Sequence, residues 1–171
     1  MRIWLAPSAY HPSLGGIEEL TRCLARQLAA TGTEVQVLTN RWPVELPDAE
    51  RCDGVEVRRV AMPAPRARPA AMLRYSYAAS RARRTISDLA DAFRPDVVHA
   101  IGAGWQAFHV AAIARRRRIP FVLNLQGETA MDDHSIYRRS VALRFALRRM
   151  VRQASAVTAC SRWALEHAAG I

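Results

Sequence analysis

The forty residues MRIWLAPSAYHPSLGGIEELTRCLARQLAATGTEVQVLTN (Met1–Asn40) decide the fold. Arg2 to Pro7 is a short apolar run that breaks at Pro7-Ser8 into a loop carrying His11, Pro12 and Gly15-Gly16, which predicts a buried first strand. From Ile17 to Ala30 the apolar residues Ile17, Leu20, Leu24 and Leu28 recur at helical spacing. Glu18 and Glu19 stand in the first turn and Gly32 lies just past the end, so the segment predicts an amphipathic helix. Val35 to Thr39 then reads as a strand of β-branched character. Strand, helix and strand in so few residues predict the first unit of a parallel sheet.

The remainder repeats the alternation. Gly54 to Val60 (GVEVRRV) reads as a strand after a polar, proline-containing connection, and Ala61 to Pro69 as a Pro-rich, Arg-bearing loop. Met72 to Phe93 predicts a long helix that stops before Pro95. Strands are expected at Asp96–Ala100, Pro120–Leu125 and Ala156–Cys160, with helices at Trp105–Arg117, Val141–Gln153 and Arg162–Ala169. The expected class is α/β: a Rossmann-like, doubly wound, mainly parallel sheet with helices on both faces. The sequence stops at Gly170-Ile171 directly after a helix, which reads as half of a larger molecule.

Composition agrees with a single globular domain spanning residues 1–171. Half of the 171 residues are apolar and 23% are charged, which excludes a disordered or collagen-like chain. There are 25 basic and 15 acidic residues, for a net charge of +10. All of the positive charges are arginine and none is lysine, while alanine is abundant. Both residues have GC-rich codons, so a high-GC, bacterial genome accounts for most of the bias. Cys23, Cys52 and Cys160 are odd in number and show no metal-ligand spacing, and no run is long enough to span a bilayer or resembles a signal peptide. These features predict a cytoplasmic protein in a reducing compartment, with no metal site.

In such a sheet ligands sit beyond the carboxyl ends of the strands. The loop after the first strand offers Gly15, Gly16 and Glu18, where glycines admit a close backbone approach and a helix N-terminus favours an anion. Two glycines before a helix also read simply as a tight turn, and Glu18 as a response to the helix dipole. His99 stands near the end of its strand and could contact a ligand hydroxyl or be an ordinary half-buried histidine. Gln126, Gly127 and Glu128, followed by Asp132, Asp133 and His134, suit sugar hydroxyls, although a solvated polar loop would look alike. No nucleophile constellation and no metal-binding histidine pair is present.

Taken in order, several short motifs carry a resemblance. They are the N-terminal strand, Gly15-Gly16-Ile17-Glu18 opening a helix, Arg94-Pro95-Asp96-Val97-Val98-His99, Pro120-Phe121-Val122 leading to Gln126-Gly127, and Ala156-Val157-Thr158-Ala159-Cys160-Ser161. Over its whole length the sequence resembles the N-terminal half of a family-four glycosyltransferase of the two-Rossmann GT-B architecture. The resemblance implies a retaining, metal-independent transfer of sugar from a nucleotide-sugar donor, a substrate and not a cofactor, to a polysaccharide or glycolipid acceptor of the cell envelope. It implies that this domain shapes the acceptor side and that its glycine loop faces the donor phosphates. The nucleotide-binding domain, with its basic residues and paired glutamates, is then the missing C-terminal half, and the fragment alone is expected to be inactive. Where the family commonly has His-Gly, this sequence has Gln126-Gly127, which makes Gln126 a positioning residue and leaves the catalytic residues unassigned. Nucleotide-sugar 2-epimerases use two such domains as well and remain an alternative.

The charge admits two readings. On a helical wheel over Tyr137–Gln153, Ile136, Leu143, Leu147, Met150 and Ala154 share one face, and Arg138, Arg139, Arg144, Arg148, Arg149 and Arg152 the other. Val141 and Phe145 fall among the arginines, as they would on a helix lying on an anionic membrane, whereas codon-biased surface arginine is the plainer explanation. Arg115–Arg118 and the Arg66, Arg68, Arg74 group add to the charge. Specific nucleic-acid binding is not expected, because the chain lacks a helix-turn-helix, an aromatic RNA-binding strand or a zinc finger. A basic binding module for membrane or nucleic acid is the non-enzymatic alternative.

Overall fold

The computed structural model describes residues 1–65, 69–128 and 136–169. In chain order the elements are β1 (Arg2–Pro7), α1 (Gly16–Ala30), β2 (Glu34–Asn40), β3 (Ala49–Cys52), β4 (Val55–Val60), α2 (Pro69–Phe93) and β5 (Val97–Ile101). They continue as α3 (Trp105–Arg117), β6 (Phe121–Leu125), α4 (Ile136–Arg139), α5 (Val141–Gln153), β7 (Ala156–Ala159) and α6 (Arg162–Ala169). The strands form one sheet in the order β3-β4-β2-β1-β5-β6-β7. Every neighbouring pair is parallel except β3–β4.

The central strand explains the layering. β1 is buried from Ile3 to Pro7, because side chains on both of its faces meet helices. On one face α1 packs over β1, β2 and β4, and Ile3, Leu5, Val35, Val37, Val55 and Val57 close a core with Ala25. On the other face α2, α3 and α5 form a layer against Trp4, Leu38, Val98, Phe121 and Leu123. The chain first winds outward from β1 through β2 and then returns to its other side at β5. That reversal places a crevice beyond the carboxyl ends of β1 and β5.

Several expectations need correction. α1 turns Thr21 and Ala25 inward, while Leu20 is 44% exposed and Ile17, Leu24 and Leu28 are only partly buried. Small residues at the contact let the helix lie close to the sheet, so the larger aliphatic side chains flank the contact instead of filling it. β3 was not expected from the sequence. It forms an antiparallel hairpin with β4 through Asp53 (φ 50°) and Gly54 (φ 80°), both left-handed, as a type I′ turn requires. α5 falls at Val141–Gln153 as expected, but the stretch from Tyr137 that the helical wheel spans is not one helix, since α4 precedes it. Ser140 has extended backbone and its hydroxyl accepts from Leu143 N–H at 3.2 Å, which caps α5 and ends α4.

Two polar clusters in the core are internally paired. Trp4 Nε1–H donates to Gln36 Oε1 at 2.6 Å, and Gln36 Nε2–H donates to Glu56 at 2.9 Å. Arg59, fully buried along its side chain, donates to Glu50 at 2.5 Å and to the His11 carbonyl at 2.5 Å. It thereby fastens the β1–α1 loop to the antiparallel edge of the sheet.

Candidate functional site

The site lies at the carboxyl edge of β1, β5, β6 and β7, where the glycine-bearing loops leave the sheet. α1 and α3 begin at Gly15 and Gly104, and neither helix has a side-chain cap. α5 and α6 differ, because Ser140 and Ser161 accept from Leu143 and Ala164 N–H. The first-turn donors of α1 and α3 are thus not taken by an N-cap side chain, whereas those of α5 and α6 are. Glu18 folds its carboxylate back over Gly15, into the space that a Cβ there would fill; Gly16 has open space on that side.

The β5–α3 and β6–α4 loops are tied by one side chain. The Glu128 carboxylate accepts from Ala103 N–H with one oxygen and from Gln126 N–H, at 2.6 Å, with the other. Gly102 N–H donates to the Asn124 carbonyl at 2.9 Å, and Tyr137 Oη–H donates to the Ala103 carbonyl at 2.5 Å. Gly102 has φ 84°, and a Cβ there would meet Ile17 of α1 at 3.5 Å. The loops after β5 and β6 thus converge through Glu128, and Ile17, in the first turn of α1, stands against the β5–α3 loop at Gly102.

Gln126 donates from its side-chain amide to Asn124 Oδ1, and Asn124 Nδ2–H donates to Thr158 on β7 at 2.8 Å. Its position is therefore set by a polar chain crossing two strands. Gly127 has φ 87° at the bend of the loop. Among the residues expected here, Gly15, Gly16 and Glu18 lie at the start of α1 and Gln126, Gly127 and Glu128 on the β6–α4 loop, with the two oxygens of Glu128 engaged by backbone. Asp132, Asp133 and His134 lie outside the described residues.

His99 is placed elsewhere. It is the middle residue of β5, in register with Leu5 and Val122, and its Nε2 is buried with no hydrogen-bond partner among the described residues. Burial pushes its pKa below the ordinary histidine value, so the ring is neutral at physiological pH.

Beside the glycine loop a cleft of about 490 Å³ runs between α1 and the β3–β4 hairpin, lined by Ser13, Glu18, Arg22, Glu50, Arg51 and Asp53 among others. Arg22 bridges its walls, donating to Asp53 at 2.7 Å and to Glu19 at 2.8 Å. The guanidinium holds the exposed Glu19 carboxyl down at about 2. Sequence reasoning missed this cleft and the buried Arg59 behind it. The Asp53-Gly54 pair was the available signal for the hairpin that forms its outer wall. Among the described residues no three His, Cys, Asp or Glu side chains are placed to hold a metal ion. No helix among them is long and apolar enough to cross a membrane.

Solved structures share this arrangement at low identity. Sucrose-phosphate synthase from Thermosynechococcus elongatus superposes with a TM-score of 0.62 at 14% identity, covering 91% of this chain and 41% of that one. MurG of Acinetobacter baumannii gives 0.59 at 16%, covering 92% and 40%. The UDP-GlcNAc 2-epimerase of Methanocaldococcus jannaschii gives 0.62 at 14%, covering 99% and 42%. The chain thus spans about two fifths of each, and its fold is that of one half of a GT-B architecture. It belongs to the glycosyl transferase 4-like domain family, which it matches over residues 15–171. No curated protein matches the chain.

Proposed function

We propose that this chain is the N-terminal, acceptor-side domain of a bacterial glycosyltransferase that moves a sugar, with retention and without a metal, from a nucleotide-sugar to a polysaccharide or glycolipid acceptor. The observation that carries the reading is the uncapped, glycine-led N-terminus of α1, set at the crevice of a glycosyl transferase 4-like domain beside the loops braced by Glu128. In this reading the free N–H groups of α1 face the donor phosphates and the helix dipole favours their charge. Gln126 orients the transferred sugar, and the cleft beside Arg22 and Asp53 receives the acceptor. Glutamine can donate and accept hydrogen bonds but takes up no proton near neutrality, so proton transfer falls to the departing phosphate.

A longer gene product carrying a C-terminal nucleotide-binding domain is the reagent for the test. Incubated with a panel of nucleotide-sugars and envelope glycan acceptors, it should form a glycosidic bond with the donor's anomeric configuration, undiminished by EDTA. The 171-residue chain alone should give no turnover. Inversion at the anomeric carbon, or sustained transfer by the fragment, overturns the corresponding part of the proposal. The likeness to UDP-GlcNAc 2-epimerases supports a second reading. Interconversion of a nucleotide-sugar with its C2 epimer, without acceptor consumption, would favour that one.

A further inference from the structure

The outer surface of the layer formed by α2, α3 and α5 has a chemistry the transferase reading does not use. A pocket of about 170 Å³ there is lined by Arg83 of α2, Arg115 and Arg116 of α3, and Arg149 of α5, with Phe108 and Phe145 as aromatic walls. None of these four arginines is in an ion pair among the described residues. Arg83 Nε is buried and has no hydrogen-bond partner among them. Neither α3 nor α5 contains an acidic residue, and of the two acids of α2 Asp91 is engaged by Arg117 and Asp88 is not in the pocket lining. Four guanidinium groups gathered without a carboxylate repel one another and favour an anion among them.

Beside the pocket stand apolar groups that a soluble anion would leave in water. Phe145 is 61% exposed and Val141 is 70% exposed, one turn apart on α5, with Arg148 and Arg152 exposed on the same helix. The buried side of α5 is a separate stripe of Leu143, Ala146, Leu147 and Met150, so the fold does not require Val141 or Phe145 to be apolar. Arg144 does not join the outward set: it reaches back to the Tyr137 carbonyl at 3.2 Å and is partly buried. Arg138 lies on α4, and its side chain is outside the described residues.

We infer that the α3–α5 face docks on an anionic lipid bilayer, with a headgroup phosphate in the arginine pocket and Phe145 and Val141 in the acyl boundary. The inference does not depend on the transferase reading. A bilayer supplies both phosphate and an apolar layer a few ångströms beneath it, which matches the pocket and the two exposed side chains together.

Flotation of the 171-residue chain with vesicles tests it, using phosphatidylcholine alone and phosphatidylcholine with phosphatidylglycerol at about three to one. Binding should be at least about tenfold stronger to the anionic vesicles, given roughly a fivefold gain for each arginine at the surface. Phe145→Ser should weaken it about tenfold with the charge unchanged, while Phe145→Leu retains most of it. Arg149→Ala should weaken it about fivefold, whereas Arg26→Ala on the opposite face of the sheet changes nothing. Circular dichroism confirms that each variant is folded. Equal binding to both vesicles overturns the inference. So does an affinity indifferent to Phe145→Ser, or one equally reduced by Arg26→Ala, since either marks general attraction to polyanions that duplex DNA would share. Displacement from vesicles by millimolar inorganic phosphate would mark a soluble-anion pocket instead and also overturns it.

Discussion

Glu128 shows how one side chain can define a site without touching a ligand. Both carboxylate oxygens accept from backbone N–H groups of different loops. Glu128→Gln turns an amide N–H toward one of those donors, so we expect a loss of about 1–3 kcal/mol in urea unfolding. The half-buried His99 and the buried His109 predict a pH dependence. Burial lowers the pKa of His99 and His109, so the unfolded chain binds more protons than the folded one near pH 6. Their contribution is complete above the unfolded value of about 6.5 and is lost as pH falls through the lowered folded values. Unfolding free energy measured from pH 7 down to pH 5 should therefore decline. His109 faces the Pro63 carbonyl at 3.0 Å, Arg83 of α2 and Phe108 of its own helix, and no carboxylate among the described residues offsets its charge. His109→Gln should shrink the decline, and a profile unchanged by that substitution would refute the assignment.

At the scale of elements, the helix starts sort by role. Serine caps α5 and α6, while glycine leads α1 and α3 at the crevice. Ser140→Ala should cost about 1 kcal/mol, read as a lower urea midpoint, because Leu143 N–H loses its acceptor. Gly102 predicts a different penalty. Its left-handed backbone strains any side chain, while a Cβ would meet the Ile17 methyl only in ordinary contact, so Gly102→Ala should cost about 1–2 kcal/mol of stability. The same substitution should also displace the loop that Glu128 holds, visible as shifted Ala103 and Gln126 amide resonances.

At the scale of the whole molecule, the sequence carried the alternation of elements because apolar runs and helical periodicity are local properties. α3 and α6 fall where periodicity predicts them, and the parallel strands agree within a residue or two. The sheet edge did not read so clearly. β3 is AERC, with no apolar alternation, and it becomes a strand because β4 and the Asp53-Gly54 turn supply its partner. α5 also falls at its expected bounds, but the separate short α4 before Ser140 is not legible in the sequence, because Arg138, Arg139 and Arg144 fit one helical wheel across the break.

The candidate site divides along the same line. A doubly wound α/β domain, the glycine-led start of α1 and the exposure of Val141 and Phe145 among arginines are legible in the residues alone, since each depends on positions close together in the chain. It takes the packed fold to show that Glu128 is spent on Ala103 and Gln126 N–H, that His99 sits inside the sheet, and that Arg83, Arg115 and Arg149 meet at one pocket. Those relations join residues tens of positions apart, and their partners are chosen by strand register and helix packing, which no local pattern records.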